Sequence, residues 1–376
     1  MMNLAWHERF DAGLVGCILI AAVAVLAVLW PGLTLFYCGL TGHRLRTEFL
    51  SRWPVLLAFL SVTWSLWAYS LSFAPSWGSR PTAHLDVATP VAADFQAMQA
   101  ASNEPENPRL VDGGGGVIGG LDFILLRGLS PQAANLEPVY PALPSRDGVP
   151  HVLFMAFQMT LFVVVPTPLF VVLARQLRGA AVMVFAVLWG TLVYAPLVHW
   201  AWGGGWLDDW GTLDSAGGLL HAGVGASALA CALVCGTRGA ATATVDSELS
   251  PEVPQRRVLA CRGACLVWGG SLVLHSALTL TTNGATAAIA FANSHLAASA
   301  GLLAWLGTGW FVERKARPAE SVIGAVAGLA AVASGCGVIV PQSALTIGIV
   351  AGVLGCLAFG FLRRRGTATG PLVVFA

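Results

Sequence analysis

Leu14-Val-Gly-Cys-Ile-Leu-Ile-Ala-Ala-Val-Ala-Val-Leu-Ala-Val-Leu-Trp-Pro-Gly-Leu-Thr-Leu-Phe-Tyr37 is a run of 24 residues without a charge. As a helix rising about 1.5 Å per residue it is roughly 36 Å long, enough to cross the roughly 30 Å hydrocarbon core of a bilayer. Acidic Glu8 and Asp11 precede it and no small-residue cleavage site follows, so it does not read as a cleaved signal peptide. Eight further apolar stretches of spanning character follow: Pro54–Phe73, His151–Leu173, Ala180–Trp202, Gly217–Cys235, Val258–Leu280, Thr286–Val312, Val322–Val338 and Ala344–Leu362. Backbone exposed to lipid must satisfy its own hydrogen bonds, which helices do. The predicted fold class is therefore all-α, a polytopic membrane helix bundle.

Composition agrees. The chain is 56% hydrophobic and 10% charged, where soluble domains carry about 25% charged residues. Its 43 glycines suit close approach of membrane helices. A net charge of +1 gives no sign of nucleic acid or of an acidic partner. All eight cysteines lie in or beside apolar segments, so no disulfide framework is implied. Cys231/Cys235 and Cys261/Cys265 are spaced i, i+4 and could converge on a metal; the simpler reading is small, lipophilic packing residues. The Gly113–Gly116 run follows no strand and opens no P-loop, so it reads as flexible backbone. An enzyme is not expected: there is no His-Glu-x-x-His, no nucleophile elbow and no membrane Asp pair.

Charge placement orients the bundle. Arg44, Arg46 and Arg52 follow the first stretch, and Arg175 and Arg178 the third. Arg238, Arg256, Arg257 and Arg262 lie around the break between the fifth and sixth; Arg314, Lys315 and Arg317 follow the seventh, and Arg363, Arg364 and Arg365 the ninth. These are 15 of the 20 basic residues, all on one side of an alternating topology. The positive-inside rule makes that side cytoplasmic and puts the N-terminus outside. The other side carries a long loop, 74–150, with eight acidic residues and four arginines. Its Pro-, Ala- and Asn-rich part, 79–111, reads as a flexible extracytoplasmic insertion.

Polar groups inside a membrane are costly and mark functional candidates. Gln158 lies in the third stretch, His199, Trp200 and Trp202 at the end of the fourth, His221 early in the fifth, His275 in the sixth and His295 in the seventh. Each has a plain alternative. An intramembrane histidine can be a hydrogen-bonded core residue, Asp214 a helix cap, and Trp202 and Trp206 interface anchors.

Taken together these residues spell a pattern. Pro31-Gly-Leu-Thr-Leu-Phe-Tyr-Cys-Gly-Leu40, Trp64-Ser-Leu-Trp-Ala-Tyr-Ser-Leu-Ser-Phe73, Ile118-Gly-Gly-Leu-Asp-Phe-Ile-Leu-Leu-Arg-Gly128 and Phe154-Met-Ala-Phe-Gln-Met-Thr160 occur in order. Tyr194-Ala-Pro-Leu-Val-His-Trp-Ala-Trp-Gly-Gly-Gly-Trp-Leu207 and Leu213-Asp-Ser-Ala-Gly-Gly-Leu-Leu-His221 follow. The chain resembles the Amt/Rh ammonium transporter family along its whole length, apart from 79–111. The resemblance implies an Amt/Rh-type inverted-repeat fold of eleven helices, of which nine are present and the last two missing, assembled as a homotrimer in the lipid bilayer of the cytoplasmic membrane. It implies ammonium recruitment at an outer aromatic site, deprotonation, and passage of ammonia through a hydrophobic pore past paired histidines. Physics favours that route. Moving an ion into a dry pore ideally costs about 20 kcal/mol. Removing a proton about two units above its neutral point costs only about 3 kcal/mol.

Carried over by residue, Phe157 and Trp202 match the outer aromatic site, Asp214 the acidic residue that braces it, and His221 the first pore histidine. Leu161 stands where the family has an outer gate phenylalanine. The second gate ring falls at Leu274 or His275, and the recruiting serine at Leu278 or Thr279. The Asp214–His221 interval is one residue short of the usual one. The expected function is ammonium/ammonia transport with divergent gates. The alternatives are an ammonium sensor coupled to a missing C-terminal signalling domain, or a non-conducting fragment. The resemblance leaves room for a cytoplasmic regulatory protein and calls for no cofactor.

Overall fold

A computed structural model describes residues 11–41, 43–77, 116–129, 132–134, 137–139, 142–143, 146–173, 177–235, 253–280, 284–314 and 317–364. The expected insertion at 79–111 lies outside the described residues, as do Arg175, Arg238, Lys315 and Arg365. Each apolar stretch is a helix. They are α1 (Ala12–Leu40), α2 (Trp53–Phe73), α3 (His151–Phe170) and α4 (Gly179–Trp202), then α5 (Gly218–Cys235), α6 (Val253–Leu278), α7 (Gly284–Glu313), α8 (Pro318–Val332) and α9 (Pro341–Arg364).

Seven of these are long and apolar enough to cross a membrane, whereas α5 and α8 are shorter apolar helices. For the eighth stretch, the helix is shorter than its apolar run predicts. The apolar run of the eighth stretch reaches Val338, yet α8 stops at Val332 and residues 333–338 form turns. Those turns are pinned from α7, where Asn293 Nδ2 donates to the carbonyls of Cys336 and Ile339, both at 2.8 Å. Hydropathy cannot distinguish apolar helix from apolar turn when a neighbouring amide supplies the missing hydrogen bonds.

The loop between α2 and α3 contains two small antiparallel hairpins, β1 (Gln132–Ala134) with β2 (Glu137–Val139) and β3 (Ala142–Leu143) with β4 (Arg146–Pro150). Its 116–129 segment seals the end of α2. Gly119 N donates to Leu71 O at 2.9 Å and Ser70 Oγ to Gly120 O at 2.9 Å. Gly116 forms a parallel bridge with Gly205, so one member of the glycine run serves backbone contact with the Gly203–Gly205 turn.

The first and sixth helices meet backbone to backbone. A Cβ on Gly32, Gly39 or Gly270 would press into Leu266, Ala260 or Leu29 respectively, and one on Gly263 would overlap the backbone of Phe36. These pairs recur every three or four residues along both helices, the spacing of one helix face. Among the remaining helices, α5 packs on α3, α4 and α8, and α6 on α1, α7 and α8. Helices α5 and α6 make little direct contact with each other, and both lean on α8.

Candidate functional site

Asp214 organises the N-terminal end of α5. Its Oδ1 accepts from the N–H groups of Gly217 and Gly218 at 2.9 and 2.8 Å, and its Oδ2 from Leu219 at 3.0 Å. Three of the N–H groups that a helix start leaves unpaired are thereby satisfied by one carboxylate. The backbone of Asp214 has a second task. Its carbonyl accepts from Trp202 Nε1 at 2.8 Å, fixing the indole at the end of α4. The ring lies against Gly217, which is in the left-handed region at φ +81; a Cβ there would sit 3.3 Å from the indole edge. Glycine is required twice over, by conformation and by room.

One turn further along, His221 Nδ1 lies 2.8 Å from the Gly217 carbonyl. A carbonyl only accepts, so Nδ1 carries the proton, and in the neutral ring Nε2 is an acceptor. The partner is thus a backbone carbonyl at the start of α5. The side chain is only partly buried. Its helix neighbours Ala222, Gly223, Val224 and Gly225 offer it no polar side chain.

The remaining expected residues divide into two groups. Phe157 is fully buried and Leu161 is 2% exposed, one turn apart in α3, and Leu274 is buried in α6; all three belong to the apolar core, with no polar link to Asp214. Thr279 and Ser215 both lie beside Gly337, within 3.2 and 3.4 Å of where its Cβ would project, so the end of α6 reaches the entry to α5. Ser215 N donates to Ser334 O at 2.7 Å, completing that junction. His275 is buried in α6, with Nδ1 2.8 Å from Ser294 Oγ on α7.

Other histidines separate into structural and peripheral ones. His199 is fully buried, its Nδ1 3.2 Å from Ser72 O and its Nε2 3.0 Å from Ser76 Oγ, which ties the C-terminal ends of α2 and α4. His295 is exposed on α7 and stands against Trp268, ring centres 5.4 Å apart. His151 pairs with Tyr69 at 2.6 Å. Gln158 is buried, and its Oε1 has no hydrogen-bond partner among the described residues. Ser294 and Asn293 were missed by sequence reasoning. The signal available was the run Asn293-Ser294-His295, three polar residues inside an apolar stretch.

The chain is similar to known proteins in sequence and in fold. A sequence model of the Ammonium Transporter Family matches residues 117–375. The chain is 30% identical over 325 residues to an ammonium transporter of Bacillus subtilis (strain 168), covering 86% of this chain and 67% of the relative. It is 28% identical over 348 residues to ammonium transporter Amt1 of Archaeoglobus fulgidus, covering 92% and 73%. Among solved structures, Mep2 from Candida albicans superposes with a TM-score of 0.74 over 99% of this chain and 72% of that one. At 24% identity this last likeness concerns the fold.

Proposed function

Since the chain belongs to the Ammonium Transporter Family, we propose that it carries ammonium nitrogen across the cytoplasmic membrane, as a cation at the outer mouth and as neutral ammonia beyond it. The observation that carries this reading is the Trp202–Asp214–His221 arrangement. An indole is fixed by the backbone of Asp214, and an imidazole follows one turn inside the helix that Asp214 caps. An indole face attracts a small cation. Both Asp214 carboxylate oxygens are engaged by backbone N–H groups, so the acid acts on the cation through its field and through the ring it positions. His221, with Nδ1 protonated, offers an acceptor nitrogen suited to the N–H of the substrate. Phe157 and Leu161 supply apolar walls, and Thr279 a hydroxyl near the α5 entry. A homotrimer is the assembly the family relationship supports.

The direct test is methylammonium or ammonium uptake by the full-length protein in cells lacking their own transporters. Uptake above the empty-vector level is expected; uptake equal to it sinks the reading. Within a binding-competent protein, Trp202→Ala is expected to weaken ammonium affinity by about 0.5–2 kcal/mol, the span of one cation–π contact. Unchanged affinity would make Trp202 an interface anchor instead.

The orientation we propose has α1 entering from outside and the arginine-rich ends in the cytoplasm. Arg256, at the start of α6, donates to the Leu40 carbonyl at the end of α1 at 3.3 Å, which brings two of those ends together. Arg317 pairs with Glu320 at 3.0 Å at the start of α8. In a cysteine-free background, Asn103→Cys is expected to react with an impermeant maleimide in intact cells and Arg314→Cys to stay unlabelled. The opposite pattern would invert the topology.

A further inference from the structure

His275 sits where a membrane helix bundle least tolerates a polar ring. It is 2% exposed, in an apolar helix, with Leu274 and Leu278 on either side. Burying a polar group without a partner costs a few kcal/mol. One ring nitrogen is provided for: Nδ1 lies 2.8 Å from Ser294 Oγ. Ser294 is itself fully buried, near the Cys336 thiol in the turn after α8. The packed hydroxyl sets the ring of His275. That contact leaves Nε2 as the nitrogen available to a ligand.

The surroundings indicate which ligand. His221 on α5 and His275 on α6 are near enough to interact electrostatically. Their helices make few direct contacts with each other, and both pack on α8. The nearby Asp214 carboxylate is occupied by three backbone N–H groups. Asp214 therefore acts here through its field, and a cation between the two imidazoles would lack a direct carboxylate contact among the described residues. A small neutral base that both donates and accepts hydrogen bonds meets no such difficulty.

The geometry points to His275 as a specificity-determining residue of the transport path, an imidazole set by Ser294 that, with His221, hydrogen-bonds the neutral nitrogen base in transit. This rests on the ammonium reading above and adds a residue of different chemistry at one of the two positions, Leu274 or His275, where the family resemblance calls for an apolar gate ring.

The test uses the full-length protein in proteoliposomes, with ammonium chloride as the probe and initial rates over a concentration series. His275→Phe is expected to lower the maximal rate at least tenfold while half-saturation stays within twofold, because the outer site is untouched. His275→Gln, which keeps a hydrogen-bonding group, is expected to recover to within threefold of wild type. Ser294→Ala is expected to fall between the two phenylalanine and glutamine rates. A ring that is merely packed predicts His275→Phe within twofold of wild type, and that result overturns the proposal. Should His275→Phe not fold, Ser294→Ala decides, with a wild-type maximal rate overturning it. A wild type that carries no ammonium removes the ammonium reading and this proposal together, whereas a conducting wild type with unaffected variants removes this proposal alone.

Discussion

Gly263→Val is expected to abolish recovery of folded protein, while Gly269→Val, six residues along the same helix, leaves it intact. Any Cβ on Gly263 meets the Phe36 backbone, with its Cα 2.6 Å away and the Gly32 carbonyl oxygen 2.7 Å away. Those atoms belong to the α1 main chain and cannot turn aside as a side-chain tip would. Overpacking a well-filled interior with movable side chains costs about 1–3 kcal/mol. Here the seam between α1 and α6 must open along several turns, since Gly32, Gly39 and Gly270 are just as close to the opposing helix. A Cβ on Gly269 meets nothing within 4 Å. Monodisperse yield from size-exclusion chromatography, with a thermal unfolding midpoint for whatever is recovered, measures the contrast. Equal behaviour of the two variants would mean that the seam is not where the bundle is held.

Asp214→Ala is expected to have the second largest effect, on stability and transport together. Three N–H groups at the start of α5 lose their acceptor. Losing a cap costs about 0.5–2 kcal/mol, and a carboxylate that serves three donors belongs at the upper end. The segment 214–217 also carries the carbonyl that fixes Trp202, and the carbonyl that meets His221 Nδ1. Loosening it therefore displaces both ends of the candidate site, and uptake is expected to drop more than tenfold. Asp214→Asn keeps an amide oxygen in place of Oδ1, where two of the three bonds are made, so most of the stability is expected to return. Because the carboxylate acts on the cation indirectly, Asp214→Asn is expected to reduce ammonium affinity less than Asp214→Ala does. Unfolding midpoints and ammonium titrations of both variants check this. An alanine variant as stable and as active as wild type would remove Asp214 from the site.

Much of the site was legible because it is local. Asp214 caps the helix that carries His221, and Trp202 lies only twelve residues before Asp214, so motif and spacing carried the arrangement. The hydrogen bond from His221 to Gly217 is also local, but it uses a backbone carbonyl, which no side-chain inventory reveals. His275 and Ser294 are nineteen residues apart on two helices, and their contact depends on how α6 and α7 are rotated. The end of α8 at Val332 was hidden for a related reason: the amide that stabilises the following turn comes from Asn293, about forty residues earlier.

The sequence by itself determined the class of solvent, the number and order of the helices, and the family. Long uncharged runs can satisfy their backbone in lipid only as helices, and the motifs at the helix ends are short-range. Tertiary structure alone decided which of the 43 glycines are indispensable. It also decided which histidines are structural, and that a serine from α7 sets the ring of His275. All glycines look alike in a hydropathy profile, and all histidines look alike in a list of polar residues. What separates them is the atom that faces each one from a distant part of the chain, and that depends on helix rotation and crossing, which many weak contacts settle jointly.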